Sequence, residues 1–490
     1  MDQQTASARK PARRRLWRAT RGLLLMACFA GAQLPQTSGA DRHDSGPVPP
    51  YPRVAARLVG AAQVEGRAFQ RLRDLTDHIG ARLTGSPQAA AAQQWAARIM
   101  REDGHEHVRL EKVTVPVWVR GAETAAIVAP VHQRLAVTAL GGSIATPAGG
   151  LEAEVVEADS FASLEALGRK AVAGRLVLFN RDMSRTRENG YGKTVALRVQ
   201  GPVEAARLGA VGMLVRSLGT AAYRLPHTGT LRYAEEVPPI PAAAVSEEDA
   251  DLIHRLRQSD GTVRLYLQLG CETRPEVEEA NVVGEITGRE QPEEIVLIGA
   301  HLDSWDLGTG ALDDGFGVAV VLEAMRLLRT LDLIPRRTIR AVLFANEENG
   351  LRGGHGYARA HANEMGRHVA AIESDSGGAA LAGWTVGAGA GGEERVRDLA
   401  APLAALGGGE VGPGEGGADI SPLARQGVPQ IGLRQDSTHY FDYHHTAADT
   451  LDKVNPGDLA ASSAAMAVMA YSLAEWPGTL PRLPRKKDAP

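Results

Sequence analysis

Three observations predict an α/β fold in which a central mixed sheet, flanked by helices, carries a smaller strand-rich insertion. Residues 295–300 (IVLIGA) and 338–345 (TIRAVLFA) are short runs rich in Val, Ile, Leu and Ala, the composition of strands buried on both faces. His301 and Asp303 follow the first run and Glu347 and Glu348 the second, at strand carboxyl ends, where open α/β sheets place their sites. Between 121 and 274 the chain changes to short apolar stretches broken by Gly and Pro clusters.

The 490 residues, 44% hydrophobic and 23% charged, suffice for two domains with cores of their own. A formal net charge of -4, with no basic stripe in mid-chain, argues against a nucleic-acid partner. Cysteine is present only as Cys28 and Cys271, so there is no CxxC metal motif, and removal of an N-terminal leader would leave no internal disulfide. A metal would have to be held by histidine and carboxylate.

Residues 1–32 read as an export signal. Arg13, Arg14, Arg15, Arg18 and Arg21 precede a short apolar run ending in Ala30-Gly31-Ala32, too short for a stable membrane anchor, which predicts a periplasmic or secreted protein. Leu25-Met26-Ala27-Cys28 offers the alternative of a lipoprotein anchored at Cys28. Residues 33–52, rich in Pro, Gly, Ser and Asp, predict a disordered lead-in.

The core is expected in two pieces, 53–120 and 275–476. Phe69, Leu72, Leu75 and Ile79 recur at helical spacing, GARLTGSP (80–87) interrupts, and a second helix carries Trp95, Ile99 and Met100. Val108, Leu110, Val113, Val115, Val117 and Val119 alternate as in a strand. Inside the insertion, 175–179 and 213–215 read as strands, with helices after Gly201 and Ser246, where Ser246 and Asp249 suggest a capping box. No acid, base or ligand set there predicts chemistry of its own, so a lid or substrate guide is expected. Strands at 281–286, 368–372 and 429–433 and a helix at 457–474 complete the core. Asp313 and Asp314 stand just ahead of Val318, Val321, Leu322, Met325 and Leu328, one apolar helix face, so an acidic helix start is the least they imply. The glycine-rich 383–417 reads as mobile, and the basic 477–490 as a disordered tail.

Two imidazoles and three carboxylates, His301, Asp313, Glu348, Asp375 and His445, fall at strand ends or the loops beside them. Singly, each has an ordinary explanation: His301 as a core histidine, Asp313 as a helix cap, Glu347 with Glu348 as a solvated loop, His444 in place of His445. Jointly they point to divalent ions such as zinc, because three carboxylates in one cleft repel one another unless cations compensate. A pair of ions about 3.5–4 Å apart suits one bridging carboxylate, for which Asp313 is the candidate. Successive side chains leave the backbone on different sides, so with Glu348 on a metal, Glu347 is free to act as general base.

The ordered set HxD (301–303), GALDDG (310–315), EE (347–348), ESDSG (373–377) and HHTAADT (444–450) closely resembles peptidase family M28, the co-catalytic zinc exopeptidases, over nearly all of 54–475. AGRLVLFNRD and GPVEAARLGAVGMLVRS in the insertion resemble the protease-associated (PA) domain. The resemblance implies a phosphorylase/hydrolase-like zinc-peptidase core and two Zn2+ per chain. His301, Asp313 and Asp375 would hold one ion, and Asp313, Glu348 and His445 the other. Glu347 would be the base or proton shuttle and Asp303 would orient His301. A homodimer is implied, with a zinc-bridging hydroxide hydrolysing short unblocked peptides or dipeptides.

HLDSWDLGTGALDDG, IGARLTGSP and VPVWVRG look most like the carboxypeptidases of the family. An aminopeptidase, a single-zinc glutaminyl cyclase and a non-catalytic receptor-like binding protein stand as alternatives, the last disfavoured by the complete ligand set. Many members carry tyrosine directly before the second ligand histidine; here that position is His444, and the tyrosine is Tyr443. Tyr440, Tyr443 and His444 are therefore all candidates for an oxyanion or substrate contact. Asp306 is left between lining the site and turning the loop before Gly308.

Overall fold

A computed structural model describes residues 51–185 and 190–485 of the chain. The export signal, Cys28, residues 33–50 and the last five residues lie outside the described residues. In chain order the strands are β1 (Glu106–Val119), β2 (Glu123–Ala129), β3 (Gln133–Leu135), β4 (Val137–Ala139), β5 (Leu151–Ala158), β6 (Leu176–Phe179), β7 (Gly212–Arg216) and β8 (Ala242–Val245). They continue with β9 (Arg264–Leu269), β10 (Glu272–Ile286), β11 (Gln291–His301), β12 (Arg337–Phe344), β13 (His368–Glu373), β14 (Leu381–Gly387), β15 (Val411–Pro413) and β16 (Gln430–Gln435). Two sheets result, in the orders β1-β10-β12-β11-β13-β16-β14-β15 and β3-β2-β9-β5-β6-β7-β8-β4.

The first sheet is mixed, as expected: β12, β11, β13 and β16 run parallel, with β10 antiparallel to β12 and β14 antiparallel to β16. Alternation explains why its central strands are apolar throughout. Ile298 and Ala300 of β11 and Ile339, Ala341 and Leu343 of β12 pack with helices Phe316–Thr330 and Pro456–Glu475. Leu297, Val342 and Phe344 face the other way, toward Arg352–Ala360 and Ser421–Arg425. Each Ile, Leu, Val or Phe among them contributes about 1.5–3 kcal/mol on burial. The helix after Asp314 is capped as its acidic start implied, with Gly317 N–H donating to Asp314 Oδ1 (3.0 Å).

Four expectations are corrected. Tyr51 and Pro52 are not a lead-in but the start of helix Tyr51–Glu65, with Tyr51 buried. The stretch 383–417 is folded rather than mobile: it holds most of β14, helix Gly392–Ala400 and β15. Its glycines allow close approach, since a Cβ on Gly383 (φ +107°) would sit 2.1 Å from the Glu410 carbonyl oxygen. Residues 477–485 are anchored to the core rather than free, with Leu480 buried and Arg482 donating to the carbonyls of Met365 (2.8 Å) and His368 (2.9 Å). The capping box is half made: Ser246 Oγ accepts from Asp249 N–H, but the Asp249 carboxylate accepts from Ala136 N–H (2.6 Å) instead.

The second sheet has its own apolar core, yet Leu83, Trp118 and Trp305 from outside it pack into that core. Trp305, four residues after His301, lies so close to Gly141 that a Cβ there would fall 2.0 Å from the indole. Among the described residues, no helix is long and apolar enough to cross a membrane.

Candidate metal centre

Parallel pairing brings the ligand candidates together. His301 is in register with Phe344, and Gly299 with Glu373, so the segments that follow β11, β12 and β13 leave the sheet at one edge. There His301 Nε2 lies 3.1 Å from Asp313 Oδ1 and 3.6 Å from Asp375 Oδ1. His445 Nε2 lies 3.2 Å from Asp313 Oδ2 and 3.0 Å from Glu348 Oε2. Two groups of donors within 4.8 Å of one another result, His301 with Asp313 and Asp375, and Asp313 with His444 and His445, and Asp313 is common to both. His444 stacks on His445 at 3.5 Å between ring centroids, with its Nε2 3.6 Å from Asp313 Oδ2.

The donor set fits divalent cations. Asp313 Oδ2 and Glu348 Oε1 are buried without a hydrogen-bond partner. Burial pushes the Glu347, Glu348 and Asp375 carboxyls above their ordinary range. Burial opposes a charge on His301 and His445, but the carboxylates facing them outweigh it and hold both imidazoles well above their ordinary pKa. Protons on such groups are what a divalent ion would displace.

Neighbouring residues lock this geometry. His301 Nδ1 meets the Asp303 backbone carbonyl at 3.0 Å, closer than the Asp303 carboxylate, whose Oδ1 stands 3.9 Å from the same nitrogen. The carboxylate instead accepts from Glu347 N–H (3.0 Å), Glu348 N–H (3.3 Å) and Thr84 Oγ1 (3.0 Å), fixing the turn that presents both glutamates. Asp449 accepts from Leu312 N–H (2.7 Å) and Asp313 N–H (3.2 Å), and burial raises its carboxyl to about 7. Arg82, fully buried, donates to the carbonyls of Leu302 (2.8 Å), Thr309 (2.6 Å) and Gly310 (3.0 Å), and burial lowers its guanidinium to about 10. These supports carry little signal in the sequence: Thr84 and Arg82 lie in GARLTGSP, which reads as scaffold, and Asp449 lies inside HHTAADT.

A cavity of about 340 Å³ opens on the centre, lined by Glu347, Tyr440 and His444 from segments that follow strands of the first sheet and by Tyr191, Arg198, Thr230 and Arg232 from segments joining strands of the second. Tyr443 is not part of it: its ring stacks on Tyr223 (6.1 Å, 10°), with Lys453 above it. Asp306 is also elsewhere, paired with Arg120.

The sequence model of peptidase family M28 matches residues 281–470. Carboxypeptidase Q of Mus musculus is 37% identical over 435 residues, 88% of this chain and 91% of its own length. The chain belongs to peptidase family M28. It is a metallo-exopeptidase of that family. Among solved structures, an M28 peptidase precursor from Shewanella amazonensis shares 43% identity and a TM-score of 0.86, over 89% of this chain and 99% of that one. A zinc aminopeptidase from Bacillus subtilis, 19% identical, shares the fold at a TM-score of 0.62 over 83% of this chain and 94% of that one.

Proposed function

We propose that this M28 peptidase is a two-zinc carboxypeptidase acting on short unblocked peptides, dipeptides included, and reading the substrate's free carboxylate. The observation that carries the reading is Arg198. It is 5% exposed, lines the cavity shared with Glu347, and its Nε is buried without a hydrogen-bond partner. A buried cation with donors to spare suits a carboxylate, and Arg232 adds a second positive charge in the same wall. The lining carboxylates Asp313, Glu347, Glu348 and Asp375 are all taken by the proposed metal and base roles, which leaves none to read a free amine. The name of the mouse relative agrees with this polarity.

His301, Asp313 and Asp375 would hold one zinc, and Asp313, Glu348 and His445 the other. Bound there, zinc supplies Lewis acidity at the scissile carbonyl and lowers the pKa of water. Glu347, held by the Asp303 turn, accepts the proton of the attacking water and passes it to the leaving amine nitrogen. Its buried carboxyl, with a pKa above the ordinary range, suits a group that must carry a proton between steps. Tyr440 and His444, at the cavity wall beside Glu347, would donate hydrogen bonds to the developing oxyanion. The second sheet serves as a protease-associated domain that completes the cavity, and the chain works after export.

The test is hydrolysis of one free dipeptide beside its N-acetylated and C-amidated forms, with a chelator control. Cleavage lost on C-amidation and on chelation is the expected result; cleavage of the amide with loss on N-acetylation would make the enzyme an aminopeptidase.

A further inference from the structure

The two candidate ligand histidines are oriented from different parts of the molecule. His301 Nδ1 meets the carbonyl of Asp303, two residues along its own segment (3.0 Å). His445 Nδ1 meets the carbonyl of Thr228 (3.3 Å), on the far side of the sequence and within the insertion. Thr228 N–H returns a hydrogen bond to the His445 carbonyl (3.0 Å), so the two backbones clamp each other. With Nε2 directed at Glu348 and Asp313, the ring proton belongs on Nδ1, and its acceptor fixes the angle of the ring.

Thr228 is fully buried and held in turn. Its Oγ1 donates to the Ala139 carbonyl (2.8 Å) and accepts from Arg120 Nη2 (3.3 Å). Arg120 Nη1 donates to Thr138 Oγ1 (2.7 Å) and the Ala139 carbonyl (2.5 Å), within β4. Its other edge grips Asp306, with Nε at 2.9 Å from Oδ2 and Nη2 at 2.5 Å from Oδ1. One guanidinium, 8% exposed, therefore joins the His301–Asp313 segment to the insertion and to the residue that orients His445.

We infer that Arg120 and Thr228 are positioning residues through which the inserted sheet fixes the His445 imidazole, so that the insertion governs retention of one metal ion and not the other. The inference rests on the proposed ligand set. Any loosening of the insertion moves the Thr228 carbonyl and turns the His445 ring, while His301 keeps its own local acceptor. The insertion then acts on the metal centre itself, besides lining the cavity.

The experiment uses the zinc-loaded full chain and its Thr228→Val, Thr228→Ser and Arg120→Met variants, with zinc loss to a chromogenic chelator followed in time. In Thr228→Val and Arg120→Met one of two equivalents should leave roughly 10–100-fold faster, the other at the wild-type rate, and Thr228→Ser should restore the slow phase. The visible spectrum of the cobalt-substituted variants should change for the same single equivalent. Arg264→Met, on the exposed side of the insertion and paired with Glu152, should leave both phases as in wild type. Unchanged rates in Thr228→Val and Arg120→Met, or equal acceleration of both equivalents, would overturn the inference. His445→Ala separates it from the site reading: if that variant still binds two equivalents, His445 is not a ligand and both proposals fall together.

Discussion

The carboxyl ends of β11, β12 and β13 and those of β5, β6 and β7 both gather acidic residues, but the two clusters are built differently. In the second sheet Glu157 takes His254 Nδ1 (2.9 Å) and Asn180 Nδ2 (2.6 Å), and Arg216 pairs with Asp182 (3.1 Å) and Asp251 (2.5 Å). The side chains of Asp182 and Asp251 are 75% and 50% exposed. In the first sheet the side chains of Asp313 and Glu348 are 6% and 4% exposed, and each has an oxygen without a hydrogen-bond partner. Parallel strand ends supply the place in both cases. What distinguishes the candidate metal centre is buried carboxylate met by imidazoles alone, with no arginine or lysine paired to Asp313, Glu348 or Asp375 among the described residues.

The contrast is tested most severely by removing one carboxylate from each cluster. Asp313→Ala should lose both zinc equivalents and activity by at least about 10³-fold, because both ligand groups share that residue. Asp251→Asn should change metal content and rate by less than about twofold, since Asp251 is half exposed, lies outside the metal cluster, and leaves Arg216 paired with Asp182 and Glu247. Metal analysis beside steady-state kinetics reads both; retained stoichiometric zinc in Asp313→Ala would remove the bridge.

Within the first cluster, base and ligand should separate. Glu347→Gln is expected to lower kcat by about 10²–10⁴-fold with two zinc ions still bound, as loss of general base catalysis predicts. Arg198→Met should act on binding. KM for a free dipeptide should rise roughly 10–100-fold for a lost charge-assisted hydrogen bond, with a far smaller change for any C-amidated substrate that is turned over. Equal losses on both substrates would take the carboxylate away from Arg198.

The central strands β10, β11, β12, β13 and β16, the helix after Asp314 and the meeting of His301, Asp313, Glu348, Asp375 and His445 were legible because apolar runs and motif order are local properties of sequence. Two of the failures of legibility have plain physical reasons. Glycines at 383 and 417 looked like flexibility, but each admits a neighbour where a Cβ would collide, Glu410 in one case and Glu373 in the other. The contribution of the segments around the second sheet was invisible because Arg198 and Thr228 stand alone in sequence, with no ligand pattern around them. Thr228 gains its meaning from His445, 217 positions away, and Arg198 from the cavity it lines with Glu347.

Glu279 supplies the remaining case, a carboxylate that is buried with neither a cation nor a metal. It is 6% exposed, accepts one hydrogen bond from Gly85 N–H (2.7 Å), and has its other oxygen unpartnered. Burial, with help from the Asp303 charge, raises its pKa from 4.5 to about 7. The folded chain therefore keeps a proton at pH values where the unfolded chain has released it. Stability is undiminished by this group below about pH 4.5 and falls as pH rises through about 7, reaching its full penalty above that. Glutamine keeps the acceptor for Gly85 and removes the charge. Glu279→Gln should then match wild type at pH 5 and exceed its Tm by about 1–3 °C at pH 8.5, a difference isolated by comparing the two proteins at each pH. A Tm difference that stays constant from pH 5 to 8.5 would mean that Glu279 is ionised in the folded chain, and that burial without a cation is tolerated here outside the metal centre.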